Sequence, residues 1–310
     1  MRTPALLLLL ILGLMLCAQP ILANDQRAED LLKEARAAIG GEEALQKIQT
    51  LAMKGQYRRV IGDREMTGER EVSLMLPDKY LAEDSFSQGG LTTAIINTRG
   101  LNGEKAWNSS SGGGMGHGGM VIRMAGPGSN GQQASPEQME AMFRRVYGSE
   151  FSRLLLATLL TPSPSLAVQY TYAGETEVED TKAEAIDVVG PDNFSVRLYF
   201  DKQTHLPLLL SYRGRKPRIM TAFARPADGV KTEDAVKKAR EEAEKKATAD
   251  ASAKPEEVDF FIRMTEYKKV NGVLLPHKLT FLTEQEVSEQ FDVAKYQVNP
   301  TFKADKFQKN

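Results

Sequence analysis

The chain has 310 residues, of which 41% are hydrophobic, 26% charged and 7% aromatic, a composition of folded globular proteins and not of disordered or collagenous ones. Forty Lys and Arg against 41 Asp and Glu give a net charge of −1, too even a balance to hold a phosphate backbone, so a nucleic-acid reader is not expected. With one cysteine, Cys17, and three histidines, His117, His205 and His277, an internal disulfide, a cysteine-based zinc site and a thiol nucleophile in the body of the protein are excluded.

Arg2 precedes thirteen apolar residues, Ala5 to Cys17, followed by the small-residue stretch AQPILA. That run matches a secretory signal of about 7–15 apolar residues and falls short of the ~20 that span a bilayer, so export to the periplasm is the expectation and a retained anchor the lesser reading. Cleavage after Ala23, or alternatively after Ala18, leaves a single mature domain over residues 24–310. Leu14 stands three residues before Cys17, as in lipidated signals, but Leu16 occupies the place where a small residue is wanted.

Ala28, Leu31, Leu32, Ala35 and Ile39 recur at helical spacing and stop at Gly40-Gly41, which predicts an N-terminal amphipathic helix. Leu51, Met53, Tyr57 and Ile61 then alternate with Lys54, Gln56 and Arg58, the period-two pattern of a strand with one wet face. Segments of the same kind follow at Met66–Leu76, Lys79–Ser85, Leu91–Thr98 and Lys105–Asn108. After Pro164 they resume at Ala167–Ala173, Glu184–Val189, Ser195–Asp201, Pro207–Tyr212, Ile219–Phe223, Val258–Thr265, Val273–Thr283 and Glu286–Val298. Short polar turns between consecutive strands predict a large antiparallel meander.

Two insertions interrupt it. Ser109–Ala134 contains GGGMGHGG and GPGSNGQ and reads as a mobile loop. Behind it Ser135-Pro136-Glu137-Gln138 carries the elements of a capping box, and Met139, Met142, Phe143, Val146, Tyr147, Phe151, Leu154, Leu155 and Leu159 keep helical spacing, with Gly148 as a candidate bend. The second insertion, 225–257, includes Thr232–Ala247, where ten of sixteen residues are charged and oppositely charged pairs sit four apart, as in a solvated helix.

No catalytic motif is present: no His-Glu-x-x-His, no Gly-x-Ser-x-Gly, no phosphate-binding Gly-Lys-Ser/Thr loop and no dinucleotide fingerprint between a strand and a helix. His117 is a lone histidine in the glycine-rich loop, and His205 and His277 neighbour prolines at strand edges, where turn packing accounts for them. Neither an enzyme, a cofactor nor a metal is expected.

One face of a large sheet must be covered, and two helices are available to cover it. If they pack tightly, Leu51, Met53, Tyr57, Leu74, Tyr80, Trp107, Tyr170, Leu208, Leu210 and Tyr212 of the strands, with Phe143, Phe151 and Leu155 of the middle helix, are a solid core. If the sheet curves and the helices form a lid, the same residues line an apolar cavity for a lipid-like ligand.

The order of elements, with Tyr199-Phe-Asp-Lys-Gln-Thr-His-Leu-Pro207, Tyr267-Lys-Lys-Val-Asn-Gly-Val-Leu-Leu-Pro-His277 and the closing Lys295-Tyr-Gln-Val-Asn-Pro300, resembles the periplasmic outer-membrane lipoprotein carriers, the LolA/LolB-like half-barrels. Gly-Gly-Glu-Glu-Ala-Leu at Gly40–Leu45 is similar to the opening of exported relatives of that family. The resemblance implies a mostly β (α+β) fold, a curved antiparallel half-barrel whose concave face is closed by helices and which holds acyl chains without catalysis. It further implies a lid-latching arginine, for which Arg59, on the face of Leu51, Met53 and Tyr57, is the candidate. The partners it implies are lipid or lipoprotein acyl chains, with room for an envelope protein partner. The alternative is an envelope interaction module with a solid core and no lipid ligand, using the charged insertion or the glycine-rich loop as its contact surface.

Overall fold

The computed structural model describes residues 19–62, 64–86, 94–111, 135–216 and 256–309. Residues 1–18 of the expected signal, with Cys17, and His117, most of the glycine-rich loop, the strand at 219–223 and the charged helix lie outside the described residues.

Twelve strands form one antiparallel sheet: β1 Thr50–Ile61, β2 Arg64–Met75, β3 Lys79–Phe86, β4 Ile95–Asn102, β5 Lys105–Ser111, β6 Gln169–Val178, β7 Thr181–Val189, β8 Ser195–Asp201, β9 Pro207–Arg215, β10 Glu257–Val270, β11 Val273–Thr283 and β12 Glu286–Val298. The spatial order is β5-β4-β3-β2-β1-β12-β11-β10-β9-β8-β7-β6, so two meanders meet where β1 pairs with β12. The sheet is a curved half-barrel, open between its edges β5 and β6. Among the described residues three helices accompany it: α1 Gln19–Ile39, α2 Glu42–Gln46 and α3 Pro136–Leu159. Because α3 leaves the β5 edge and delivers the chain to the β6 edge, it crosses the inner face.

The join between meanders rests on a glycine and an asparagine. The register of β1 on β12 slips between Lys54 and Gly55, and a side chain at Gly55 would come within 1.9 Å of the Asp292 carbonyl oxygen. Past β12, Asn299 accepts hydrogen bonds from the amides of Gln49 and Thr50 and donates to the Lys47 carbonyl, which fastens the end of the second meander to the start of the first.

Several boundaries differ from expectation for local reasons. Gly100, which falls between the expected strands Leu91–Thr98 and Lys105–Asn108, lies inside β4, where a Cβ would come within 2.3 Å of the Trp107 ring of β5. β10 runs five residues beyond Thr265 because Asn271 and Gly272, both at positive φ, make a tight hairpin that pairs Val270 with Val273. The helix expected from Ala28 begins at Gln19. In α3 the capping box forms as expected, with Ser135 Oγ accepting from the Gln138 amide and Gln138 Oε1 from the Ser135 amide. Gly148 neither breaks nor ends the helix, which runs on to a left-handed Leu160.

The core lies between the sheet's inner face and the helices. Leu31, Ala35 and Ile39 of α1 and Phe151, Leu155 and Leu156 of α3 pack with Leu51, Met53, Tyr57, Leu74 and Tyr80 of the first meander and Leu198, Leu210, Leu279 and Phe291 of the second. The outer face carries the polar alternates, and near β2 and β3 it is covered by the C-terminal segment through Lys306, which bridges Glu71 and Glu83.

Candidate functional site

The inner face under α3 is where the expected site residues converge. Leu51, Met53, Tyr57, Leu74, Tyr80, Phe143, Phe151, Leu155 and Leu210 are all buried in one cluster, and Tyr170 and Tyr212 pack against it half-buried. Trp107 and Leu208 do not join them. Ala106, which pairs with Leu101, is the inward residue of β5, so its neighbour Trp107 points to the outer face. Leu208 falls at the irregularity between Tyr199 and Phe200, where the strict alternation that would have turned it inward is lost.

The two halves of α3 are buried differently. From Phe151 to Leu160 every residue except Arg153 is buried, so this half is embedded in the core. From Pro136 to Glu150 only Phe143 and Tyr147 are buried, stacked with ring centroids 5.5 Å apart, while Val146 is 45% exposed. A helix that is apolar all round is held on all sides, whereas one with a single apolar stripe lies on a surface it can leave.

What lies beneath the outer half is an ionic network that the apolar pattern did not announce. On the inner parity of β2, β3, β4 and β12 stand Arg70, Asp84, Arg99 and Glu289. Arg70 binds Asp84 through both its Nε and Nη2, at 2.5 and 2.9 Å, with side-chain exposures of only 5% and 3%, and its guanidinium lies 3.5 Å over the Tyr57 ring. Its Nη1 reaches Glu289 at 3.4 Å, which also pairs with Arg59 Nε at 3.5 Å. Arg99 Nη2 stands between Asp84 (3.3 Å) and Glu150 of α3 (3.5 Å), and Tyr80 donates to Glu150 at 2.7 Å. Arg59 is thus on the expected face but pairs within the sheet, and the polar ties from sheet to α3 come from Tyr80 and Arg99.

Burial opposes these charges and their partners restore them. Burial pushes the Asp84 and Glu289 carboxyls up, but the guanidiniums around them, Arg70 foremost with Arg59 and Arg99, together pull harder, and both end below their ordinary values. Tyr80 is held well above its ordinary value by burial and by the Glu150 carboxylate, and burial pushes the Tyr147 phenol up to about 12. The phenols are therefore neutral donors and the carboxyls charged acceptors. The arrangement holds a helix and offers polar contacts to a guest, but contains no nucleophile activated by a base.

The far side of the inner face is sealed by α1. Arg27 Nη2 donates to Glu184 of β7 at 2.6 Å, as does Tyr172 at 3.0 Å, and Arg36 donates through Nε and Nη2 to the Leu160 carbonyl at the end of α3. A cation there satisfies an orphan carbonyl and complements the helix dipole. His277 Nδ1 bonds the Val293 carbonyl at 2.7 Å with its ring edge-on to Tyr296, while His205 takes a positive φ in the turn after β8.

No family model matches the sequence, and no curated protein matches it. Among solved structures the chain is similar to an outer membrane lipoprotein-sorting protein domain from Vibrio parahaemolyticus, at 9% identity and a TM-score of 0.44 over 92% of this chain and 97% of that one. It is also similar to a LolA superfamily protein from Nitrosomonas europaea, at 10% identity and a TM-score of 0.44 over 91% and 97%. A DUF1329 family protein from Desulfovibrio piger gives 10% identity and a TM-score of 0.42 over the same shares.

Proposed function

We propose that the protein is a non-enzymatic envelope carrier or sensor that takes up a lipid acyl chain, free or attached to a lipoprotein, between the inner face of the sheet and the outer half of α3. The observation that supports this is the division of α3 into an embedded half and a surface-lying half, held by the Phe143 and Tyr147 rings and, among the described residues, by polar ties to the sheet through Glu150. Lifting the outer half uncovers the apolar sides of Phe143 and Tyr147 and the part of the core next to Tyr80, a lining in which an alkyl chain replaces contacts now made by the helix itself. Export to the periplasm, expected from residues 1–23, belongs to this reading, and among the described residues no helix is long and apolar enough to cross a membrane.

The test is mass spectrometry of the protein purified without detergent, intact and after organic extraction, with uptake of a fluorescent fatty acid by the emptied protein. A stoichiometric lipid, or saturable uptake lost on replacing Phe143 by Asp, is the expected result. One observation favours a second reading, an interaction module with a solid core: Tyr57, Tyr80, Phe151 and Phe291 are all less than 2% exposed with the helix in place. An empty protein that takes up no fatty acid would establish that reading and overturn the first.

A further inference from the structure

We propose that the underside of α3 between Arg99 and Arg153 is an oxyanion site, which binds the carboxylate or phosphate end of an acyl-chain amphiphile. The proposal deepens the acyl-chain reading above and rests on it for the tail, while the head is argued from charge and from unused donors. Four guanidinium groups, Arg59, Arg70, Arg99 and Arg153, meet three carboxylates on this face, Asp84, Glu150 and Glu289. Arg70 and Asp84 satisfy one another, Arg59 leans on Glu289, and Glu150 is engaged by Tyr80 and Arg99.

Arg153 is left over. It forms no ion pair among the described residues, lies 3.6 Å over the Tyr212 ring and 5.9 Å from Phe194, and is one helical turn from Glu150. Its buried Nε has no acceptor, and neither has the Nε of Arg99 across Glu150. Burial pulls the Arg153 guanidinium below its ordinary value, the opposite of Arg70 and Arg99, as expected for a cation lacking a full counter-ion. A guanidinium has only donors, so the missing group must supply acceptors, and its fork matches the two oxygens of a carboxylate or phosphate. Glu150, at the junction of the two halves of α3, stands between the two guanidiniums, so an anion that enters when the outer half lifts has the apolar faces of Phe143 and Tyr147 beside it for its alkyl chain.

The experiment uses the emptied mature protein carrying a neutral pyrene-alkane, displaced in turn by palmitate, hexadecyl phosphate and hexadecanol. Displacement by at least one of the two anions at a concentration about tenfold or more below that of hexadecanol is expected, the scale of one charge-assisted hydrogen bond. Preference for palmitate alone identifies a fatty-acid carboxylate, and for hexadecyl phosphate alone a phospholipid-like phosphate. R153Q should remove the preference while the alcohol still binds, and R153K should keep part of it; R153Q with the preference intact overturns the assignment. Equal displacement by all three on the wild-type protein, which needs no variant, overturns the oxyanion site and leaves the acyl-chain reading standing. If the pyrene probe does not bind, the acyl-chain reading falls. The site is then decided by whether octyl phosphate slows phenylglyoxal modification of Arg153: slowing sustains it, and no effect overturns it.

Discussion

Two charges with side-chain exposures of 5% and 3% sit on an otherwise apolar sheet face in the Arg70–Asp84 pair. Stripping water from each ion costs several kcal/mol, which only a bidentate geometry with further partners offsets, and Arg70 has both the fork on Asp84 and the contact to Glu289. Asp84→Asn therefore leaves a buried guanidinium short of a counter-charge and should lower the unfolding free energy by about 3–5 kcal/mol, read from urea denaturation. The double replacement R70L/D84L should recover most of that loss, because an apolar pair of similar volume carries no desolvation penalty and Glu289 keeps Arg59. A double variant as unstable as the single would mean the ion pair is itself a net stabiliser. The pair was legible in principle: Arg70 shares strand parity with Val72 and Leu74, and Asp84 with Tyr80 and Ala82. A charge on the apolar parity is the signal; a reading that assigned charges to the wet face passed over it. Arg153 is the harder case, since a helix offers no such strict alternation and its partner Tyr212 is 59 residues away in sequence.

At the scale of elements α3 decides how the inner face is used, and its two ends were readable to different depths. The capping box at Ser135 is a local chemical pattern and appears in the structure as the sequence implied. The division into an embedded and a surface half depends on where the helix crosses the sheet, which local sequence does not encode. Gly148 sits near that division in regular helix, and nothing lies within 4 Å of where its Cβ would be. Gly148→Ala should accordingly stabilise the fold by about 0.5–1 kcal/mol through the entropy of the unfolded chain, seen as a higher Tm. A fall in Tm would mean that the helix needs flexibility or clearance there. Glu150→Gln is expected to act differently. The amide oxygen can still accept from Tyr80, but the ionic attraction to Arg99 goes, so the outer half of α3 should open more often. Because Glu150 is 36% exposed, global stability should shift by no more than about 1 kcal/mol. Amide hydrogen exchange should quicken several-fold between Met139 and Tyr147 and remain unchanged from Leu154 to Leu159. Equal acceleration along the whole helix would show that α3 moves as one piece and has no separable lid.

For the whole molecule the question is what makes two meanders one body. Within each meander the neighbour order follows from short turns and was legible strand by strand, as at Pro77-Asp78 and Asn271-Gly272. The pairing of β1 with β12 brings Leu51 against Val298, and no local pattern announces a partner so distant in the chain. The ionic network crosses the same join: Arg70 and Asp84 belong to the first meander, Glu289 to the second, and Glu150 to the helix that links them. Asp84 and Glu289 both have lowered folded-state pKa values, so the folded protein binds their protons more weakly than the unfolded chain does. Their contribution is therefore complete above the ordinary carboxylate values of about 4, and is lost as pH falls through the lowered folded values. The wild-type urea midpoint should hold steady from neutrality to about pH 5 and then drop below pH 4. In R70L/D84L this acid limb should be shallower, since one carboxyl is gone and Glu289, though it keeps Arg59 and Arg99, has lost the strongest of the guanidiniums that lower it. Both meanders should lose structure together along that limb, because protonation releases Arg70 from partners on both sides of the join. Loss of one meander's near-ultraviolet signal before the other's would instead show that the halves unfold as separate units and that the ionic network does not couple them.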